Sequence, residues 1–389
     1  MIDWATVEIP FRHTPIATDR YVKISADGEI EFESVCRARI TGSFESTIGV
    51  KSVGSDGAGY ATHLLLDGNP SKFLQGHNVF GSNDFCSLVL SMSIQVIGSL
   101  IRSGSINAGL SDDEYWQVLR GEYSVSRCDI NESFELQNLV SVRSWLKAAE
   151  QKSKTRHGRP TSRGGTVYWG QHSRRWALKA YCKFDEINSG KKHKLPESLT
   201  WTGIPKWAES KLRIELVLRR MQLIEEGIYQ AKDLTVARVE ELYRSYLGRL
   251  EMAKNVTLTT NKVTELPRAL QATYALWSQG VDVQSMLSKP TFYRHKKELL
   301  SHGIDISLPC DTPDVTNVVP LLRVLEATPV ATPDWAYEQR LVYDPTRVEK
   351  MAVGSEFTPD YKLSQSELDS VAHNVVSFKS IKPKREVRA

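Results

Sequence analysis

Residues 166–186 have the residue types and spacing that best suit a chemical role. They read TVYWGQHSRRWALKAYCKFDE, two strand-like runs of aromatic and β-branched residues around a polar turn. Alternation along the second run predicts that Lys179, Tyr181 and Lys183 share one face of a strand. A tyrosine hydroxyl beside two lysines is a candidate nucleophile for an anionic substrate.

Positive charge is concentrated around this tyrosine. Residues 151–183 contain nine Lys or Arg and no Asp or Glu, whereas the whole chain has a formal charge of only +4. The rest of the chain is therefore net negative, and the modest pI of 8.6 conceals a basic segment. Such a segment favours a phosphate backbone over a small acidic metabolite, the alternative being a flexible basic loop without a ligand.

Carboxylates follow the same two-residue spacing on two further strand-like segments. Arg127 and Asp129 lie two residues apart, as do Arg213 and Glu215, so each pair points to one face of its strand. If these strands share a sheet with Tyr181, then Asp129 and Glu215 predict a site for Mg²⁺ or Mn²⁺ beside the hydroxyl. The simpler interpretation of each pair is a solvated sheet face.

Composition indicates a soluble protein with two or three domains. The chain has 389 residues, 41% hydrophobic and 25% charged. Its five cysteines show no zinc spacing, which predicts reduced thiols in a cytoplasm. The start resembles no signal peptide, and the apolar run 85–101 is too short and too polar to favour a membrane span, so it predicts a core helix.

Periodicity predicts an α+β fold made of an antiparallel sheet with packed helices, followed by a mainly helical DNA-binding region. Strand-like alternation covers 1–70, 122–129, 166–186 and 211–219, and helical spacing covers 84–103, 140–151, 236–253 and 266–279. We therefore predict a first domain over 1–230, a helical domain over 231–335 and a polar, mobile tail over 336–389.

The segment SKPTFYRHKKELLSHGID predicts a helix that Thr291 caps and that stops at Gly303. The short apolar segment and turn before it resemble a helix-turn-helix, which would present Tyr293, Arg294 and Lys297 to DNA bases. An amphipathic surface helix is the equal alternative.

The segment LQGHNVFGSND, residues 74–84, is another candidate for DNA contact. His77 and Asn78 are hydrogen-bond donors between two glycines that would let the backbone approach a phosphate or fold over the site. The alternative is a tight connection into the next helix.

Taken together, these motifs resemble the gene II replication initiators of filamentous phages and the wider phage and plasmid II/X replication family. The resemblance runs from MIDWATVEIPF through LQGHNVFG, SRCD, AYCKFDE, LRIEL and SKPTFYRHKKELL to NVVPLLR and PDW, nearly all of the first 335 residues. It implies a rolling-circle replication endonuclease whose tyrosine nicks one strand at the origin, stays joined to the 5′-phosphate, and later rejoins the displaced strand. It places the nucleophile at Tyr181 and leaves Tyr168 a packing or stacking role.

The resemblance also implies partners and a location. These are origin DNA as supercoiled duplex and single strand, a host helicase and a host DNA polymerase, in the cytoplasm of a bacterial host. We expect further DNA contacts from the cations around the site, which are Arg127, Lys152, Lys154, Arg156, Arg159, Arg174 and Arg213.

The metal ligands remain incomplete at this level. Many rolling-circle nickases use a His-x-His pair, and this sequence contains none, so the carboxylate arrangement of other plasmid initiators fits better. A third ligand could be Glu132, Glu135 or Glu186. No P-loop is present, in agreement with transesterification that needs no ATP.

Two rival functions stay open. One is an origin-binding regulator in which Tyr181 only packs. The other is a metal-independent tyrosine enzyme that makes a 3′-phosphotyrosine, as topoisomerases and recombinases do.

Overall fold

The computed structural model describes most of the chain up to residue 343. The described residues are 1–42, 44–189, 193–252, 263, 266–302, 304–307, 310 and 328–343. The strands are β1 (Ile2–His13), β2 (Arg20–Ile24), β3 (Ile30–Val35), β4 (Ala38–Thr41), β5 (Thr47–Val53), β6 (Ala61–Gly68), β7 (Ser124–Glu135), β8 (Ser153–Lys154), β9 (Thr161–Arg163), β10 (Thr166–Trp169), β11 (Trp176–Cys182), β12 (Lys211–Arg219) and β13 (Glu251–Met252).

Helices of very different length connect and cover these strands. They are α1 (Pro70–Gln75), α2 (Phe85–Arg102), α3 (Asp112–Leu119), α4 (Leu139–Lys152), α5 (Lys183–Asn188), α6 (Glu197–Thr200), α7 (Ile204–Ala208), α8 (Arg220–Glu225), α9 (Val236–Leu247), α10 (Arg268–Ser278), α11 (Val283–Met286), α12 (Lys289–Ser301) and α13 (Asp334–Glu338).

One antiparallel sheet organises the first part of the chain. Nine strands pair in the order β4-β5-β6-β1-β7-β12-β11-β10-β9. Its central ladder is continuous, since β12 pairs with β7 from Lys211 opposite Glu135 to Arg219 opposite Arg127, and with β11 on its other side. The predicted α+β fold with packed helices is confirmed.

The two faces of this sheet differ in character because side chains alternate along each strand. On β12, Leu212, Ile214 and Leu216 are fully buried in the main hydrophobic core, which α2, α4 and α9 also line. Arg213 and Glu215 point to the opposite face. The same alternation holds along β7 and β11, so the central strands present an apolar face to the helices and a polar face to a cleft.

Helix α2 is the core helix that the apolar run predicted. Among the described helices it alone is long and apolar enough to cross a membrane, yet 61% of it is buried. Its residues Leu88, Met92 and Val96 pack in the main core. Asp84 caps it by accepting a hydrogen bond from the Ser87 amide.

The helix α9 belongs to the sheet rather than to the helical region. Its residues Val239, Leu242 and Tyr246 lie in the main core, and the Tyr243 hydroxyl donates to the Ile214 carbonyl of β12 at 3.1 Å. It ends at Leu247, short of the predicted 253. The boundary at 230 stays a prediction, and we propose to move it beyond residue 250.

The helical region has a separate core. Helices α10, α11 and α12 bury Leu270, Trp277, Val283, Phe292 and Leu299 against one another. Helix α11, a two-residue turn and α12 follow one another as in a helix-turn-helix. Helix α12 begins earlier than predicted, with Ser288 rather than Thr291 at its N-cap, because Pro290 is compatible with a first helical turn. The predicted stop, Gly303, lies outside the described residues.

Residues 328–343 return to the sheet domain, and we call them the C-terminal strap. The Val330 amide donates to the Ser133 carbonyl of β7, and Trp335 packs edge-on against Phe80. The Tyr343 amide donates to Gln75. The prediction of a mobile tail from residue 336 is therefore wrong for 336–343, and its remainder lies outside the described residues.

Candidate active site

The polar face of the central strands forms the floor of a large cleft of about 2010 Å³. Strands β1, β7, β11 and β12 each contribute to this floor, with Asp3, Asp129, Tyr181 and Glu215 among its lining residues. Each side chain is placed there by strand alternation opposite the apolar core. The sequence predicted this grouping for all of them except Asp3, whose only signal was an acidic residue between Ile2 and Trp4 in the opening strand.

Tyr181 lies at the end of β11 and is only 7% exposed. Its hydroxyl lies 3.4 Å from Glu215 Oε2, to which it donates. Burial raises the pKa of Tyr181 well above its ordinary value of 10.0, and the charges of Glu186 and Glu215 add to this rise. The phenol is therefore protonated in this state, and its proton already points to a carboxylate.

Glu215 is paired with Lys179 directly across the β11–β12 ladder, with Lys179 Nζ 2.5 Å from Glu215 Oε1. Burial raises the pKa of Glu215 above its usual range, Lys179 opposes the rise, and Asp3 and Asp129 add to it. The floor thus has three carboxylates close enough to repel one another electrostatically. Glu215 is consequently a stronger base than an exposed glutamate.

Asp129 and Asp3 are each held by donors. Arg127 binds Asp129 with two hydrogen bonds of 2.8 and 2.6 Å, as its position two residues away on β7 predicts. Asp3 Oδ1 accepts from the side-chain amides of Asn69 at 2.9 Å and Asn78 at 2.8 Å. Asn78 therefore lines the cleft, where it orients a carboxylate.

Lys183 does not share a strand face with Tyr181, and that prediction is wrong. Strand β11 ends at Cys182, and Lys183 is the first residue of α5 and fully buried. Its Nζ donates to Asn78 Oδ1 at 2.9 Å and pairs with Glu186 at 2.5 Å, 5.9 Å from the centre of the Tyr181 ring. Burial lowers the pKa of Lys183, and Glu186 opposes the shift. Lys179 is the lysine on the tyrosine's own face.

Each candidate for a third metal ligand already pairs with a positively charged group of the protein. Glu186 pairs with Lys183 and lies 3.3 Å from His193, while Glu132 binds the amino terminus and Glu135 binds Lys211. Within the described residues no three His, Cys, Asp or Glu side chains are already arranged to hold an ion. Asp3 lies beside Asp129 and Glu215 on the cleft floor and raises the pKa of Glu215 together with Asp129.

His77 and Arg213, two predicted DNA contacts, are buried, and the structure contradicts both assignments. Arg213 points to the polar face as predicted. There it is covered by residues 76–84, the segment between α1 and α2. Arg213 binds Asn131, and it donates to the Val79 carbonyl at 2.7 Å. Periodicity identified the face but not the segment that covers it.

His77 joins this covering segment to the C-terminal strap. Its Nδ1 lies 3.2 Å from the Val79 amide and its Nε2 2.7 Å from the Leu341 carbonyl. Because Nδ1 accepts, the proton must be on Nε2. Burial lowers the pKa of His77 from 6.5 to about 4, and Lys183 and Arg213 add to the shift. The neutral imidazole thereby braces the segment that carries Asn78.

Two residues of the basic segment after α4 are held by contacts with the rest of the protein, unlike the flexible loop that was the alternative to a phosphate-binding segment. Lys154 pairs with Asp305 and with Glu251, and Arg159 donates to the Ser307 carbonyl, so both tie the sheet domain to the helical region. The Arg156 guanidinium lies 5.3 Å from the centre of the Trp176 ring, and its residue is exposed. Arg174 is also exposed. The side chain of Lys152 lies outside the described residues.

The three predicted recognition residues of α12 remain exposed. Tyr293, Arg294 and Lys297 are spaced so that they share one surface of the helix, and Tyr293 is 62% exposed. Phe292, His295 and Leu299 turn inward instead. The helix thus presents an aromatic and basic face to solvent.

Fold and site together define an α+β protein with a buried tyrosine, paired cations and carboxylates on the open face of an antiparallel sheet. Residues 1–257 match the N-terminal model of the phage gene II replication-associated protein family, and residues 258–342 match the C-terminal model of the same family. The replication-associated protein of this type from Enterobacteria phage I2-2 is 46% identical over 349 residues, which cover 90% of this chain and 99% of the relative. The chain belongs to the gene II replication-associated protein family.

One solved structure is also similar, that of a rolling circle replication initiator protein from Geobacillus stearothermophilus. It covers 67% of this chain and 89% of its own, with 13% identity and a TM-score of 0.29. This likeness is too low to support an argument.

We expect His77→Phe to destabilise the protein and to make its stability less dependent on pH. The substitution keeps the ring but leaves the Val79 amide and the Leu341 carbonyl without partners, at a cost of about 1–3 kcal/mol each. Because the folded pKa is the lower one, the stabilisation by His77 is complete above pH 6.5 and is lost as the pH falls towards about 4. Urea denaturation at a series of pH values measures both effects.

The control is His172→Phe, since His172 is exposed. The difference in unfolding free energy between wild type and His77→Phe should shrink as the pH falls, and that of the control should stay near zero. A constant difference from about pH 7.5 to about pH 4.5 would contradict the neutral, buried state of His77.

Proposed function

We propose that the chain is a rolling-circle replication initiation endonuclease that nicks one strand at an origin through Tyr181 and later rejoins the displaced strand. The observation that carries this proposal is the position of Tyr181, at the end of a central strand and on the floor of a cleft, with its hydroxyl directed at Glu215. Membership of the gene II replication-associated protein family supports the setting in replication.

The chemistry is a transesterification at phosphorus. The Tyr181 oxygen forms a bond to the phosphorus of the scissile phosphodiester, and the bond from phosphorus to the 3′-oxygen breaks. Glu215 accepts the phenol proton, which passes to the leaving 3′-oxygen. One phosphodiester is exchanged for a phosphotyrosine ester, so the step is reversible without ATP, and attack by a 3′-hydroxyl on the adduct seals the strand.

The charges on the cleft floor suit this reaction. Lys179 and Arg127 sit on the same sheet face as Tyr181 and are each paired with a carboxylate. An entering phosphate would share these cations, and their charge would stabilise the additional negative charge of the transition state. Tyr181 is a poor nucleophile before substrate arrives because its buried phenol resists ionisation. We therefore expect Tyr181 to become reactive only when a DNA strand is bound in the cleft.

The residues present fit a divalent cation in their donor chemistry. Asp3, Asp129 and Glu215 are hard oxygen donors on one cleft floor, and the rise that Asp3 and Asp129 cause in the pKa of Glu215 indicates uncompensated negative charge there. We propose that Asp129 and Glu215, with Asp3 in place of Glu186, hold Mg²⁺ or Mn²⁺. When bound, the ion would supply positive charge for the phosphate oxygens.

We propose that origin recognition belongs to α12 and that sequence-independent binding belongs to exposed cations of the basic segment outside the cleft. Tyr293, Arg294 and Lys297 suit a helix that enters a major groove. Arg156 and Arg174 suit phosphate contacts, because they extend from turns without a rigid geometry for bases. Origin DNA, a host helicase and a host polymerase in the cytoplasm of a bacterial host complete the proposal.

The two rival functions make different demands on these residues. An origin-binding regulator would use α12 and leave Tyr181 as packing. A topoisomerase-like or recombinase-like enzyme would need no metal and would leave the protein on a 3′-phosphate.

We expect Tyr181→Phe to abolish both nicking and the covalent adduct while origin binding remains near that of the wild type. The change removes only the oxygen that attacks phosphorus. Supercoiled origin DNA is incubated with Mg²⁺ or Mn²⁺, and the phosphotyrosine peptide is mapped by mass spectrometry. Tyr168→Phe, in the same cleft, is the matched control and should keep nicking. An adduct that survives in Tyr181→Phe would refute the assignment, and a 3′-linked adduct would favour the topoisomerase-like alternative.

Asp129→Asn and Glu215→Gln are each expected to reduce nicking by about 10- to 100-fold or more, with partial recovery at higher Mn²⁺. Each change keeps the volume and removes one anionic ligand, and Glu215→Gln also removes the group that accepts the phenol proton. Calorimetric titration with Mn²⁺ gives a readout independent of cleavage, and affinity should fall in both variants. Glu135→Gln is the control, because Glu135 binds Lys211 outside the cleft. Unchanged Mn²⁺ affinity in both variants, or nicking in the presence of EDTA, would exclude this site.

Arg294→Ala should lower the ratio of origin to random-duplex affinity by about 1–3 kcal/mol, since a base contact is lost. Arg174→Ala is its matched counterpart and should weaken both DNAs equally, reducing the slope of log affinity against log salt by about one unit. The measurement is a salt titration of both variants on both duplexes. Equal losses on the two DNAs for Arg294→Ala would remove α12 from the recognition role.

A further inference from the structure

Trp201 is unlike the other tryptophans of the chain, because it is 90% exposed. It follows directly after α6 and lines the rim of the cleft that contains Tyr181. A large aromatic ring gains free energy when it leaves water, so its full exposure at a binding cleft indicates a surface that a ligand covers.

The backbone that carries the Trp201 ring is anchored to the rest of the protein. Leu199 before it and Ile204 after it are buried, and the Thr202 hydroxyl donates to the Leu199 carbonyl at 2.7 Å and accepts from the Ile204 amide at 3.3 Å. The tryptophan therefore projects from a hydrogen-bonded turn that is anchored on both sides. A backbone anchored in this way does not have to be ordered when a ligand stacks on the ring, so only the side chain loses conformational entropy.

The residues around the Trp201 ring indicate which kind of ligand binds there. Arg39, Arg163 and Lys194 line the same cleft, are exposed, and form no ion pair within the part of the chain that the structure describes. Exposed cations beside an aromatic ring are the features that bind a nucleic acid strand, the cations contacting phosphates and the ring contacting a base.

The depth of Tyr181 in the cleft indicates that single-stranded DNA, rather than duplex DNA, can reach its hydroxyl. A phosphate must reach a hydroxyl whose residue is 7% exposed at the floor of a concave cleft. A single strand can bend into such a cleft, and its bases are then unpaired and free to stack. A stiff duplex presents its phosphates only on its outside, and its bases have no free faces.

We propose that Trp201 stacks on one unpaired base of the strand that enters the cleft, and that it thereby favours single-stranded over duplex DNA at this site. The inference rests on the proposed function only in that the cleft receives DNA. Trp201 is a specificity-determining residue, with no part in bond making or breaking.

The test uses the full chain carrying Tyr181→Phe, so that binding is measured without cleavage. The probes are a fluorescent thymidine single strand of about 20 nucleotides, longer than one typical binding site, and a mixed-sequence duplex of the same length. Adding Trp201→Ala should weaken single-strand binding by about 10-fold, within the range typical for loss of one stacked base. Duplex affinity and the salt slope should not change, because no phosphate contact is lost.

Two further variants separate stacking from other effects. Trp201→Phe keeps an aromatic face and should retain most of the single-strand affinity. Trp116→Ala removes a tryptophan that is 48% exposed on α3 and outside the cleft, and it should bind both probes like its parent. Replacing every thymidine by an abasic site should weaken the parent and remove the difference in affinity between the parent and Trp201→Ala.

The outcomes are distinct. Unchanged single-strand affinity in Trp201→Ala, equal loss on both probes, or a change in self-association without a change in affinity would each overturn the proposal. If wild-type protein forms no phosphotyrosine adduct but Trp201→Ala shows the selective loss, the endonuclease proposal fails and this inference stands.

Discussion

Charge pairing on the polar face of the central sheet is the constraint on which the rest of the structure depends. Lys179 and Glu215 face each other across β11 and β12, and Arg127 and Asp129 pair along β7. Buried charges are costly unless they are paired, and breaking one such pair costs several kcal/mol. A shift of one residue in the pairing register of β12 would place Glu215 in the apolar core and the leucines of β12 in the cleft. The charges therefore fix the register of the strands that build the site.

In the proposed reaction, the same pairing would keep Tyr181 unreactive in the absence of substrate. Each of the carboxylates Asp3, Asp129 and Glu215 is paired with a cation or oriented by an amide, and the tyrosine hydroxyl remains protonated among them. A phosphate that enters must replace part of this internal pairing with its own contacts. In the proposed reaction, the reactivity of Tyr181 would thus be linked to substrate binding through electrostatics.

Periodicity in the sequence predicted which residues share a face, but it could not predict what lies over that face. It placed Lys211–Arg219 as a strand with the bounds seen in the structure and brought Asp129, Glu215 and Tyr181 together. It failed for Arg213 because the segment that carries Val79 covers it, and for His77 because the C-terminal strap packs on it. It failed for Lys183 because a strand can pass into a helix within one residue. Trp201 gave no periodic signal, since its role depends on exposure at a rim.

The contacts of the C-terminal strap can form only late in the synthesis of the chain. Residues 341 and 343 hold the segment beside the cleft through His77 and Gln75, and they lie 264 and 268 residues after their partners. A ribosome has completed the whole sheet domain and the helical region before these residues leave it. A nascent or prematurely ended chain therefore has the tyrosine and the carboxylates but lacks the contacts through which the strap holds His77 and Gln75. For the proposed reaction, the site would thus be complete only after translation has passed residue 343.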